Sequence, residues 1–224
     1  MYSFEYKAVS GYLLPEKAVY LKEYKALLIA DAHLGKAAAF RRLGVPVPRG
    51  TTQANLQTIS RLIAQTGATR VVFLGDLFHS QAALQSAVLT QWHAWRQAHA
   101  SVEVVLVEGN HDAKAFRAKV SPLELGITLV EEPWFIDTER RMLALCHFPQ
   151  TVPGAYAITG HIHPSFNLYG RAGESARLPC FWFGEQCAVL PAFGEFTGSH
   201  VVQPESGDRV YVIADDSVLP VPRD

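Results

Sequence analysis

Five short apolar runs recur along the chain, and each ends on a residue able to do acid–base or metal chemistry. Residues 26–30 precede Asp31 and His33, residues 71–74 precede Gly75 and Asp76, and residues 104–107 precede Gly109, Asn110, His111 and Asp112. Residues 142–146 precede His147, and residues 156–159 precede Gly160, His161 and His163. Runs of this length, rich in Val, Ile and Leu, predict strands buried on both faces. Glycine permits a sharp exit, so the next side chain projects from the carboxyl end of its strand. In open α/β sheets that edge collects ligands.

Between these runs the period changes. Residues 36–43 predict a short helix closed by Gly44. Residues 45–50 predict a loop, because Pro46 and Pro48 lack amide donors. Leu56, Ile59 and Ile63 recur at helical spacing, so a helix is expected from a Thr51 or Thr52 cap to about Thr66, stopped by Gly67. A second helix is expected from a Ser80 cap to about Ala98, with Leu84, Val88, Trp92 and Trp95 facing the core. A short helix is expected over 113–120. Residues 1–25 predict one or two edge strands, and the chain after Ile127 reads mostly as short strands bounded by Gly, Pro or Asp.

The 224 residues are 49% hydrophobic and 18% charged with a net charge of -1, an ordinary globular balance without a global field for nucleic acid or membrane. A single domain over 1–224 is expected, with residues 219–224 as a frayed tail. Three cysteines exclude a disulfide framework and fit a reducing compartment. The first residues show no basic-then-apolar signal, and no apolar run approaches the ~20 residues of a membrane span. The expected location is cytoplasmic.

Asp, Asn and His at one sheet edge suit a pair of divalent cations. Two such ions ~3.5–4 Å apart can share a hydroxide and clamp phosphoryl oxygens. Asp31 and His33 stand two apart at a strand end and can reach one ion. Asp76 is the candidate bridge, Asn110 offers a neutral oxygen, and His147, His161 and His163 add nitrogens. Mixed imidazole and oxygen donors suit Mn, Fe, Zn or Ni better than Ca. His111 follows a candidate ligand but points elsewhere, where an unbound imidazole could offset phosphate charge or protonate a leaving group.

These blocks, spanning residues 31–163 in order, resemble the five signature blocks of the calcineurin-like metallophosphoesterase superfamily. The resemblance implies a four-layer αββα fold, with two mixed sheets face to face and helices outside. It implies one ion on Asp31, His33, Asp76 and His163, and another on Asp76, Asn110, His147 and His161. His111 is then the catalytic histidine and Asp112 its supporting neighbour. The implied activity is phosphodiester hydrolysis by a metal-bridging hydroxide, with manganese as the first metal and Fe, Zn, Ni or Mg as alternatives. Residues 31–36, 75–80 and 190–198 further resemble the ligase-associated DNA damage response endonuclease branch. That likeness implies a DNA nuclease linked to repair and associated with a ligase and a helicase; a homodimer is compatible. The alternatives are a phosphomonoesterase or nucleotide pyrophosphatase, and a non-catalytic binding module of the same fold.

Other residues carry two readings. His79 either faces substrate or shapes the turn into the next helix. Lys36, Arg41, Arg42, Arg49, Lys114, Arg117 and Lys119 either rim the cleft against flanking phosphates or form solvated faces, with Arg42 and Arg49 favoured as phosphate contacts. Strand alternation sends Cys146 to the core. Phe193 and Phe196 read as core, and His93, His99 and His200 as residues without chemistry.

Overall fold

The structure, a computed structural model, describes all residues except 8, 85, 117–119, 138, 141, 171–172 and 223–224. Arg117 and Lys119 therefore lie outside the described residues.

The first seven strands build one sheet in chain order: β1 (Tyr2–Tyr6), β2 (Val9–Leu14), β3 (Ala18–Leu21), β4 (Ala26–Ile29), β5 (Arg70–Leu74), β6 (Glu103–Val107) and β7 (Thr128–Val130). Neighbours from β1 to β4 are antiparallel, and those from β4 to β7 are parallel. The parallel strands are linked through α1 (Lys36–Arg42), α2 (Thr51–Thr66), α3 (Ser86–Ala98) and α4 (Asn110–Ala115). The second sheet holds β8 (Trp134–Phe135), β9 (Leu143–Leu145), β10 (Tyr156–Thr159), β11 (Pro164–Tyr169), β12 (Ser175–Phe183), β13 (Cys187–Val189), β14 (His200–Val201), β15 (Arg209–Ala214) and β16 (Ser217–Pro220). In it, β9, β10 and β13 run parallel while β12 pairs antiparallel with β11, β13 and β15.

Alternation in the first sheet explains the sandwich. Leu27, Ile29, Val71, Phe73, Val104 and Leu106 face the helices, where they meet Leu56, Ile59 and Leu62 of α2 and Trp92 and Trp95 of α3. The intervening Leu28, Val72, Leu74, Val105 and Val107 face the second sheet and meet Leu145, Ile158, Phe181 and Phe183. Each fully buried Leu, Ile or Phe is worth ~1.5–3 kcal/mol, so both faces contribute to holding β4–β6. The expected pair of mixed sheets is present. Among the described residues the helices cover the first sheet, and the outer face of the second is closed by small clusters around Ala144, Cys146 and Ala157 and around Cys180, Val210 and Val212. Among the described residues after Ile127 there is no helix to add a layer there.

Local expectations are corrected in four places. The helix at 51–66 is present, but Gly50 is its cap and no side chain caps it; the Thr52 hydroxyl accepts the Gly35 amide at 3.3 Å instead. Ser80 does not open the long helix: its carbonyl takes the Ala83 amide at 2.8 Å, closing a 3-10 turn over Gln81–Leu84 ahead of α3. The helix expected over 113–120 begins earlier, at Asn110, and runs to Ala115; residues 117–119 of that expectation lie outside the described residues. Leu219 and Pro220 are not frayed, because β16 pairs with β15 and the Val221 amide donates to the Val210 carbonyl at 2.9 Å. No helix among the described residues is long and apolar enough to cross a membrane.

Candidate metal centre

The loops leaving β4 and β5 stay laced together past the ends of their strands. The His33 amide donates to the Asp76 carbonyl at 2.8 Å, and the Leu34 amide to the Leu77 carbonyl at 2.8 Å. Asp31, His33, Asp76, His161 and His163 are five of the ten non-glycine residues with positive φ among the described residues. Backbone in this region costs of order ~1–3 kcal/mol per residue and gathers where the surrounding structure enforces it for function. Close packing enforces it here. A Cβ on Gly75, whose φ is 79°, would collide with the His147 imidazole, and one on Gly109 would collide with the Asp76 amide.

All seven candidate ligands meet. Asp31, His33 and His163 present donor atoms within 4.8 Å of one another, as do Asp31, Asp76 and His147. The two oxygens of Asp76 face opposite ways: Oδ2 lies 3.9 Å from His33 Nε2, and Oδ1 lies 3.7 Å from His147 Nε2. His147 Nε2 is 3.0 Å from Asn110 Oδ1 and 3.0 Å from His161 Nδ1. Asp31 Oδ1 is 3.5 Å from His163 Nε2.

The backbone sets the tautomers. His147 Nδ1 donates to the Leu74 carbonyl at 3.0 Å, and His163 Nδ1 to the Gly198 carbonyl at 3.0 Å. A neutral ring tied in this way has its lone pair on Nε2, the atom turned into the cluster. His147 Nε2 faces the side-chain oxygen of Asn110, so a neutral His147 tied to Leu74 has no proton to give that contact. Buried Asp31 Oδ1 and His33 Nδ1 also lack hydrogen-bond partners. Converging nitrogen and oxygen lone pairs are what a cation requires. Burial, with Lys36 and the neighbouring imidazoles adding to it, pushes the His33 imidazole down to about 2, and burial lowers His161 as well. Burial also acts to lower His163, but the Asp31 carboxylate beside it and the Gly198 carbonyl outweigh burial, and the net shift is upward.

The supporting residues differ from expectation. Asp112 does not support the His111 ring. Its buried carboxylate accepts the Phe78, Leu77 and Gly109 amides at 3.2, 3.4 and 3.2 Å, tying α4 to the Asp76 loop. Burial, partly offset by those amides, pushes it up to about 8. His111 Nδ1 donates instead to the His79 carbonyl at 2.7 Å, while its Nε2 lies 3.9 Å from Asp76 Oδ2. The His79 ring stacks on that of His111 at 5.3 Å, which places His79 in the cluster. Arg42 and Arg49 remain on exposed surface. Among the described residues Lys36, in the first turn of α1, reaches the cluster, half-buried and within electrostatic range of Asp31 and Asp76.

Two residues packed against His147 stand outside the sequence expectations. Glu132 accepts the His147 amide at 2.6 Å and the Phe148 amide at 3.0 Å. Phe148 is 38% exposed, and its ring centroid lies 4.4 Å from that of His161 and 4.8 Å from that of His147. Its position directly after a candidate ligand was the available signal. Phe193 is core, as expected, but Phe196 is exposed. Cys146 is fully buried. His99 ties α2 to α3 through the Ser60 hydroxyl at 2.8 Å, a structural role.

Comparison with known proteins decides the family. The model of the calcineurin-like phosphoesterases matches residues 24–148. The chain belongs to that family. As a calcineurin-like phosphoesterase it is a metal-dependent hydrolase of phosphate esters. Among solved structures, the Pseudomonas putida nuclease MPE is 37% identical, with 98% of this chain and 99% of that one covered and a TM-score of 0.82. YfcE, a phosphoesterase from E. coli, is 16% identical over 88% of this chain and 97% of that one, with a TM-score of 0.44, too remote to bear on function. No curated protein matches.

Proposed function

We propose that this calcineurin-like phosphoesterase is a phosphodiesterase that cleaves DNA strands. The observation that carries the reading is the pair of Asp76 oxygens, each turned to a different group of donors. That arrangement supports two divalent ions, one on Asp31, His33, Asp76 and His163 and one on Asp76, Asn110, His147 and His161. The imidazole-rich set favours manganese, with Fe, Zn, Ni or Mg as alternatives. When bound, such ions supply an activated water and offset charge on the phosphoryl oxygens.

The chain's own groups do the rest. Asp76 holds its position through the His111 amide, which donates to its Oδ1 at 2.9 Å. Asp31 is held likewise by the His161 amide at 2.8 Å. With His111 Nδ1 committed to the His79 carbonyl, Nε2 is the atom left to carry a proton to the departing oxygen. The His111 side chain is 34% exposed, and cavities open beside both His161 and His163, so an extended strand has room to pass. A phosphomonoesterase would be better served by an enclosed pocket. Likeness to the P. putida nuclease over nearly the whole chain supports a nucleic-acid substrate. A cytoplasmic location and a repair setting with a ligase and a helicase belong to the same proposal.

The test is turnover by manganese-loaded protein. Bis-p-nitrophenyl phosphate and a single-stranded DNA oligonucleotide are expected to be cleaved, and p-nitrophenyl phosphate much more slowly. Absence of cleavage of both diesters would remove the reading.

A further inference from the structure

Cavities flank the candidate centre on two sides, and they differ in chemistry. The one beside His161 is about 360 Å³ and includes Ile162, Trp182 and Val202 in its wall. The one beside His163 is about 200 Å³, and its wall includes Lys17, Arg177, Thr197, Gly198 and Ser199. No carboxylate lines this second cavity among the described residues. A wall with two cations and no anion suits an anionic ligand.

Size narrows the ligand. Pockets that enclose whole small-molecule ligands run to roughly 300–1,000 Å³. The cavity beside His163 is smaller, about the share of six or seven waters at ~30 Å³ each. It takes one charged group, with the remainder of the molecule outside.

The guanidinium is held in place. Arg177 Nε donates to the Ser165 hydroxyl at 2.9 Å, and Nη2 donates to the Ser199 carbonyl. Neither contact is ionic, and among the described residues Arg177 has no salt bridge. Arginine carries five N–H donors, so most remain available in a fixed fork that suits phosphate oxygens. Lys17 comes from the turn between β2 and β3 and likewise has no salt bridge among the described residues, although Glu195 lies within electrostatic range. His163 joins cavity to centre: its Nε2 faces Asp31, its Nδ1 is tied to Gly198, and its ring is part of the cavity wall.

We propose that this cavity binds a backbone phosphate of the substrate strand, adjacent to the phosphodiester held at the candidate metal centre. The inference rests on the phosphodiesterase reading above and makes the substrate a polynucleotide strand, gripped at more than one phosphate. Arg177 and Lys17 position that strand and touch no reacting atom.

The experiment compares Arg177→Gln and Lys17→Gln with the wild type on a single-stranded oligonucleotide and on bis-p-nitrophenyl phosphate, which has no flanking phosphate. The ratio of kcat/KM for oligonucleotide over small diester is expected to fall about tenfold in each variant, chiefly through KM. Each lost phosphate contact should also lower the slope of log affinity against log salt by about 0.7. Arg177→Lys should restore part of the ratio. Arg177 also braces the Ser199 segment, so Lys17→Gln, on a separate turn, guards against a folding artefact. A parallel arm measures oligonucleotide binding by His111→Ala protein with and without each substitution. Equal losses on both substrates, an unchanged ratio, or binding indifferent to Arg177 and Lys17 would each overturn the proposal. Binding that depends on both cations, in a protein that cleaves neither diester, would leave the phosphate site standing and remove the diesterase reading.

Discussion

Asp31, Asp76 and Asn110 reach the candidate centre from the carboxyl edge of the first sheet, with His33 and His111 beside them. The second sheet sends His147, His161 and His163 and, within the cluster, no carboxylate. The two sides are also fixed differently. Carboxylates of the first sheet are held by backbone amides, those of His111 and His161. Imidazoles of the second are held by backbone carbonyls, those of Leu74 and Gly198. Amides favour the charged form of an acid, and carbonyls favour the neutral imidazole that can offer a lone pair. Two of these four contacts cross from one sheet to the other. The centre is therefore part of the sheet–sheet interface, and charge comes from one side only.

That asymmetry is broken most severely at Asp76. Asp76→Asn keeps an oxygen for the His111 amide but removes the charge shared by the two donor groups. Activity is expected to fall by more than about a hundredfold, beyond the ~10–100-fold typical of outer-shell partners. The thermal stabilisation given by manganese should disappear with it. His161→Ala removes one nitrogen from the second sheet and should cost less, with partial recovery at high manganese. Steady-state kinetics and melting curves across a manganese titration check both. Equal losses that excess metal does not repair would mean the sheets contribute alike.

A smaller effect is expected at Glu132, which lies between the sheets and accepts the His147 and Phe148 amides. Glu132→Gln leaves an acceptor but no charge, and Glu132→Ala leaves neither. Metal affinity should fall about tenfold or more in Glu132→Ala and less in Glu132→Gln, with turnover at saturating metal nearly preserved. A fall in saturated turnover equal to the fall in affinity would assign Glu132 to the chemistry instead of to His147's position.

How far the sequence disclosed these arrangements follows from what periodicity can encode. An apolar run ending in Gly-Asp or Gly-Asn names its own terminal residue, so Asp76 and Asn110 were legible, as were Asp31 and the three late histidines. The stripe of Leu84, Val88, Trp92 and Trp95 was legible as core for the same reason, and all four are buried. Direction within a first helical turn is not so encoded. Arg42 and Arg49 read as cleft cations and stand on exposed surface, while among the described residues Lys36 approaches the carboxylates. Asp112 reads as a companion of His111 because the two are adjacent, but a helix turns neighbours apart, and its carboxylate serves the Asp76 loop. Glu132, Lys17 and Arg177 had no local signal at all. They become neighbours of the centre only when the second sheet folds over the first.

The smallest expected effect concerns a titration confined to the second sheet. All three cysteines lie there, and burial pushes the Cys180 thiol up to about 12. In the unfolded chain the same thiol ionises near ~8.5. Below that pH both states hold the proton and Cys180 contributes no pH dependence. Between about 8.5 and 12 the unfolded state releases it while the folded state does not, so stability falls as pH rises, by up to ~1.4 kcal/mol per unit. Cys180→Ala removes this contribution, and any packing loss it causes is the same at both pH values. Unfolding free energies from urea titrations at pH 7.5 and 9.5 should therefore show an alkaline loss about 1.4 kcal/mol smaller in the variant than in the wild type. An identical loss in the two proteins would mean the thiol ionises as readily folded as unfolded. The outer face of the second sheet would then be open to water, against the burial of Cys180, Val210 and Val212.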